Sequence, residues 1–203
     1  MRAPVKLYLA TSNPGKLGEF RALAAAAPLP RVALEALPGF DELPVFKESA
    51  PTFAENAAGK ALHYSRLRDE MVFADDSGLV VPALGGAPGV HSARYAGQQT
   101  TNSRRIEKVL SEMQGKTGNA RAAYFVCAIA LAGKGRAIAV VSDRVDGEIL
   151  ESPRGTGGFG YDPVFQFPAL KKTFAELTAE EKNQFSHRGK AFRRLLSALS
   201  SML

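Results

Sequence analysis

Apolar residues along this chain fall in short blocks separated by polar or glycine-rich stretches, and the spacing within each block predicts an element. Val5 to Thr11 reads as a first strand that ends in Ser12-Asn13-Pro14-Gly15. Leu17, Phe20 and Ala24 then share a helical face, predicting a helix from about Lys16 to Ala27. Val32 to Leu37 reads as a second strand, and residues 38–51, with three prolines, as a loop. Thr52-Phe53-Ala54-Glu55 has the form of a capping box and opens a helix expected to reach about Asp69. Met71-Val72-Phe73-Ala74 is a further strand, expected to end at Asp75-Asp76 with Ser77-Gly78 turning at once. Residues 85–99, glycine-rich with Pro88, read as an ordered loop.

Ile106, Val109, Leu110 and Met113 recur at helical spacing. Two long β-prone runs follow, Ala120–Ala132 and Arg136–Val145, joined by Gly133-Lys134-Gly135. Their largely apolar composition predicts a hairpin of central strands covered on both faces. After a glycine-rich segment at 155–160 and a second capping-box pattern at Thr178-Ala179-Glu180-Glu181, Phe192, Leu195, Leu196 and Leu199 form the stripe of a last helix over about 188–202. The pattern is that of a single α/β domain over residues 1–203, with a mixed sheet because the hairpin excludes a purely parallel one.

Composition narrows the classes. Hydrophobic residues make up 45% of the 203, enough for a core, yet no apolar run reaches membrane-spanning length. The start, Met1-Arg2-Ala3-Pro4-Val5-Lys6-Leu7, lacks the apolar stretch and cleavage site of a secretory leader. The single cysteine, Cys127, lies in an apolar run and reads as a buried, inert thiol. A cytoplasmic location follows as the expectation. The net charge of +6 suits an anionic partner, either nucleic acid or a phosphorylated small molecule.

Candidate chemistry begins at Asp75-Asp76. Adjacent carboxylates repel, so such a pair needs a cation, a proton or a hydrogen-bond network. Thr11-Ser12-Asn13-Pro14-Gly15-Lys16 lies between a strand and a helix, where backbone N–H groups and a lysine can take a phosphate. It is not a Walker A loop, which needs a glycine five residues before Gly15 and a hydroxyl residue after the lysine. Gly155-Thr156-Gly157-Gly158-Phe159-Gly160 matches Gly-x-Gly-x-x-Gly, but the extended reading of Tyr161-Asp162-Pro163-Val164-Phe165 argues against a dinucleotide fingerprint. Phe159 and Tyr161 could stack on a base. Ser186-His187-Arg188-Gly189-Lys190 puts cations at a helix start, which is unfavourable unless an anion is bound there. His63 and His91 have no metal-ligand spacing, so zinc is not expected. No Gly-x-Ser-x-Gly elbow is present. Together these features point to a magnesium-dependent site for a nucleotide polyphosphate.

With these blocks in order, the chain resembles the inosine/xanthosine triphosphate pyrophosphatase family, the non-canonical purine nucleoside triphosphate pyrophosphatases. The resemblance runs nearly end to end: Ala10 to Lys16, Thr52 to Ala57 with Lys60-Ala61, Ala74 to Leu79, Leu84 to Val90 with Ser92 to Gly97, Gly155 to Pro163, Glu181-Lys182-Asn183 and Ser186-His187-Arg188. It implies an α/β fold, an elongated mixed β-sheet flanked by helices, with two lobes and the active site in the cleft between them. It implies Mg²⁺-dependent hydrolysis of ITP, dITP and XTP to the monophosphate and pyrophosphate, which cleanses the nucleotide pool, and a homodimer. Carried over residue by residue, Asp76 would be proton acceptor and metal ligand with Asp75 in support, and Glu48 a further metal carboxylate. Thr11, Ser12, Asn13, Pro14, Gly15 and Lys16, with Lys60 and Ser77, would contact the phosphates or other parts of the substrate. Phe159, Gly160, Tyr161, Asp162, Lys182, His187 and Arg188 would form the nucleoside pocket. A donor aimed at the 6-oxo group would accept hypoxanthine and xanthine and leave adenine with an unmet donor. The family often carries two acidic residues where this chain has Lys47-Glu48.

Two other readings compete. A sister pyrophosphatase of similar fold would act on other nucleotides. A nucleic-acid-binding protein would suit the basic charge, but it would need a basic stripe with exposed aromatics, and the Asp75-Asp76 pair would repel a phosphate backbone.

Overall fold

The computed structural model describes residues 4–28 and 31–202. The first residues read for a leader, and the outer ends of the domain expected over 1–203, lie outside them. Seven strands form one mixed sheet in the order β2-β1-β3-β4-β5-β6-β7. They are β1 Val5–Leu9, β2 Val32–Ala36, β3 Val72–Val80, β4 Ala122–Gly133, β5 Arg136–Ile149, β6 Phe165–Phe167 and β7 Lys172–Thr173. The helices are α1 Pro14–Ala26, α2 Phe53–Ser65, α3 Asn102–Glu112, α4 Ala179–Phe185 and α5 His187–Ser200. β1 pairs in parallel with both β2 and β3, whereas β6 pairs antiparallel with β5 and β7. No helix among the described residues is long and apolar enough to cross a membrane.

The chain divides into two compact units, and the division falls within β3, β4 and β5. One takes residues up to Asp76, then 127–143, then His187 onward; the other takes 77–126 and 144–186. The first unit holds two cores. One gathers Leu7, Leu9, Phe20, Phe73, Ile129 and Phe192 around edge-on and tilted aromatic contacts. The other gathers Ala10, Ala57, Ala61, Tyr64, Val72, Ala74 and alternate alanines of β4. Small residues let α2 lie close on this side of the sheet, while bulkier ones fill the other. The second unit is built on Phe125, Phe165 and Phe174, with Val109, Met113 and Tyr161. Arg121 pins it by donating to the carbonyls of Met113, Lys116, Ile149 and Leu150.

Four expectations are corrected. β3 does not end at Ala74 but runs through Asp75-Asp76-Ser77-Gly78 to Val80. Gly78 is not a turn residue. A Cβ there would lie 2.3 Å from Ser92 Oγ and 2.7 Å from Gly89 O, so the glycine permits close approach of the following loop. β5 is not covered on both faces: only Val145 and Ile149 are buried, and Ile138 and Val140 are exposed. Its pairing to β6 involves only Glu148 and Ile149, and its apolar residues reflect β-propensity as much as burial. α2 stops at Ser65 rather than near Asp69. Asp162–Val164 is a short 3₁₀ turn before β6, not extended chain.

Candidate active site

The chain leaves β1 and returns to the sheet on one side as β2 and on the other as β3. Such a switch point leaves a crevice beyond the carboxyl ends of the strands, where open α/β sheets bind ligands. β1 ends at Leu9 opposite Phe73, so Asp75 and Asp76 lie just past its end. Strand alternation sends the two carboxylates to opposite faces, which leaves Asp75 as the last of the influences on the Asp76 pKa.

Beyond β1, Asn13 caps α1: its side chain accepts from Lys16 N at 3.1 Å, and Thr11 Oγ1 accepts from Asn13 N at 3.1 Å. Pro14 occupies the first helical turn, where a missing N–H costs nothing. Ser12, Asn13 and Pro14 are exposed, and a hollow of about 370 Å³ opens beside them between Thr11–Leu17 and Ala36–Glu42. The helix start presents its positive dipole end to this hollow.

Lys16 turns back to Asp75, with Nζ 2.8 Å from Oδ2. Asp75 is fully buried. Burial alone would raise its pKa, but Lys16, Arg188 and Lys60 outweigh burial and hold it below the ordinary value, so it is a permanent anion. Behind it, Arg188 on the first turn of α5 donates to Glu19 of α1 and lies over the Phe20 ring. The anion that the cationic helix start calls for is therefore Glu19, a side chain of the protein itself. His187 beside it is buried, 3% exposed.

On the other face, Asp76 accepts from Asn56 Nδ2 at 3.0 Å. Burial pushes its pKa up and the Glu48 charge pushes it further; Lys16 and the Asn56 hydrogen bond oppose this, and the result is about 6. Glu48 pairs with Lys60 at 2.7 Å. Burial would lower the Lys60 pKa, but Glu48, Asp75 and Asp76 together hold it above the ordinary value and keep it charged. Thr52, Asn56 and Lys60 lie four residues apart along α2, so one helical stripe carries the cap, the Asp76 partner and the Glu48 partner. Asn56 and Glu19 were not assigned roles from the sequence. The four-residue stripe signals Asn56; nothing local signals Glu19, whose partner is 169 residues away.

In the second unit, Asp162 accepts from Phe159 N at 2.7 Å and pairs with Lys182. Lys182 Nζ stands 4.9 Å from the centre of the Phe159 ring. Gly158, at φ 69°, fits only because it lacks a Cβ, which would lie 2.0 Å from Asp162 Oδ2. The glycine-rich loop is held back on the chain by Gly157 N donating to Ala175 O. Phe159 and Gly160 are partly exposed, and Asp162 and Lys182 are buried. Tyr161 is packed into the core with its hydroxyl donating to Ser92 O at 2.9 Å, so of the two aromatics Phe159 is the one open to stacking. Ser77 follows Asp76 on β3 and is partly exposed.

The first unit thus sets cation-seeking carboxylates beside anion-seeking amides and lysines, the chemistry of an α/β phosphate-handling protein. Its lineage agrees. The Ham1 family model matches residues 7–198, and the chain belongs to that family. It is 52% identical to a protein named dITP/XTP pyrophosphatase from Geobacillus kaustophilus, over 94% of this chain and 92% of that one. It is 45% identical to the Bacillus subtilis protein of the same name, over 95% and 96%. The solved Ham1 protein of Staphylococcus aureus superposes with a TM-score of 0.85 at 36% identity, covering 98% of this chain and all of the other. A HAM1 protein from Coxiella burnetii gives 0.84 at 38%, covering 97% and 99%.

Proposed function

We propose that this protein hydrolyses non-canonical purine nucleoside triphosphates, dITP, XTP and ITP, to the monophosphate and pyrophosphate. The observation that carries the reading is Asp76: a buried carboxyl held by Asn56, within reach of the Glu48 charge and just past the carboxyl end of β1. Family membership and the names of its relatives narrow the substrate class.

The donor set fits Mg²⁺. Asp76 and Glu48 offer hard carboxylate oxygens, and Glu48 is close enough for its charge to raise the Asp76 pKa. No group of three His, Cys, Asp or Glu side chains among the described residues could hold a metal unaided. Mg²⁺ commonly takes one or two carboxylates and completes its shell with water and substrate phosphate. Bound there, it would neutralise triphosphate charge and ease deprotonation of water. Asp76 accepts the proton of the attacking water. The exposed start of α1, with Thr11, Ser12 and Asn13, binds phosphate oxygens through N–H and hydroxyl groups. Lys16 and Lys60 supply positive charge, each kept in place by its carboxylate partner. Asp75, with Arg188 and Glu19 behind it, fixes Lys16.

From the family resemblance we also take His187 and Arg188 of the first unit as substrate contacts, and Phe159, Gly160, Tyr161, Asp162 and Lys182 of the second as the nucleoside-binding set. Within it, Phe159 stacks on the purine, while Asp162 and Lys182 hold the loop that carries it. A homodimer acting in the cytoplasm completes the proposal; light scattering is expected to give twice the chain mass, and a single-chain mass would overturn the dimer. The activity is tested by a panel of dITP, XTP, ITP and the four common triphosphates with Mg²⁺ and pyrophosphate detection. Faster release from the first three supports the reading; preference for a common triphosphate overturns it.

A further inference from the structure

Residues 44–50 lie along α2 as an extended strap running against the helix. Tyr64 Oη accepts from Phe46 N at 3.2 Å, Lys60 donates to Glu48 at 2.7 Å, and Asn56 exchanges hydrogen bonds of 2.9 and 3.3 Å with Ala50. His63 Nε2 reaches Pro44 O at 2.8 Å, outside the register of these rungs, and ties down the start of the strap. From Phe46 to Glu48 to Ala50, each step of two strap residues meets a step of four helix residues. An extended chain covers about 6.6 Å in two residues, and a helix about 6 Å in four, so the two pitches agree over these rungs. Phe46, Glu48 and Ala50 are turned inward and partly buried, while Val45, Lys47 and Ser49 are exposed.

Matched pitch alone allows the strap to slip. What keys it is Gly59. A Cβ at this position would lie 2.6 Å from Phe46 Cζ, so the ring occupies the space a side chain would fill. Gly59 has no φ requirement and stands inside a helix, where glycine costs about 1 kcal/mol relative to alanine. Seating Phe46 accounts for its presence. The rung on the far side of Glu48 is Asn56, which also holds Asp76.

We propose that Phe46 and Gly59 are positioning residues that set Glu48 against Asp76. The proposal rests on the reading that these two carboxylates hold the divalent cation. Substitution Gly59→Ala displaces the Phe46 ring, and Glu48 then loses its fixed place. Displacing a group that orients a metal ligand costs about tenfold or more in metal affinity.

Two measurements on the full chain without substrate decide it. The first is Mn²⁺ binding, followed by loss of the free-ion electron paramagnetic resonance signal. The second is amide hydrogen exchange at Phe46 and Ala50. Gly59→Ala is expected to weaken Mn²⁺ binding about tenfold or more and to speed exchange at both amides. Gly59→Ala combined with Phe46→Leu is expected to recover binding and protection, which a general loss of stability would not do. Phe46→Ala, which removes the key without a clash, is expected to weaken binding in the same direction. Unchanged Mn²⁺ affinity and exchange in Gly59→Ala, or a double variant no better than the single, overturns the proposal. Wild-type protein that binds no Mn²⁺ overturns the metal reading, and the exchange results still decide whether Gly59 keys the strap.

Discussion

Asp76 carries a cost that the protein accepts for its chemistry. Its carboxyl titrates near 6 in the folded chain against an ordinary 3.8. Because the folded value is the higher one, its stabilising contribution is intact below pH 3.8 and is lost as the pH rises through 6. That difference corresponds to about 3 kcal/mol. An uncharged isostere escapes this loss. Asp76→Asn is therefore expected to be more stable than wild type by up to about 3 kcal/mol at pH 8 without metal, with the gap closing at pH 4. Its turnover falls by about 10²-fold or more. Urea unfolding at the two pH values checks the first expectation and initial rates check the second; a variant less stable than wild type at pH 8 contradicts the account. The aspartate pair was legible in the sequence because two adjacent carboxylates in an apolar setting need explaining. Its geometry was not. Ser77-Gly78 reads as a turn locally, and only the Ser92 side chain and Gly89 carbonyl packed against Gly78 reveal why glycine is needed in a continuing strand.

At the scale of elements, α1 and α5 are joined through Glu19 and Arg188, with Arg188 3% exposed. Removing one member of a buried ion pair leaves an uncompensated charge and costs about 3–5 kcal/mol. Arg188→Met is expected to lose that much stability, read from the urea midpoint; a loss under 1 kcal/mol contradicts a buried paired cation. The glycine-rich loop is tested by Gly158→Ala. The new Cβ would press on the Asp162 carboxylate at a φ that L residues rarely adopt. The KM for dITP is expected to rise about tenfold or more, with a smaller change in kcat, if the loop serves binding rather than the chemical step. An unchanged KM removes the loop from the nucleoside site. Helices were largely legible, since caps at Asn13, Thr52 and Thr178 and apolar stripes are local signals. The short strands β6 and β7 were not, because three- and two-residue strands exist through their partners and carry no period of their own. The exposure of β5 was equally hidden: composition gives propensity, whereas burial depends on what packs above the strand.

For the molecule as a whole, the sequence disclosed a mixed α/β sheet, and the order of blocks along the chain disclosed the family. The strand order that creates the switch point beyond β1 belongs to the fold alone. The net charge of +6 separated nothing by itself, since it suits nucleotides and nucleic acids alike. What separates them is where charges are placed. Lys16, Lys60 and Arg188 are committed to Asp75, Glu48 and Glu19 around the candidate phosphate site. The measurement that tests the central claim most directly is phosphorus NMR of the products formed from dITP and Mg²⁺. The account predicts deoxyinosine monophosphate and intact pyrophosphate in equal amounts from wild type, formed about 10²-fold or more slowly by Asp76→Asn. Deoxyinosine diphosphate with orthophosphate, or equal turnover by the variant, would contradict it.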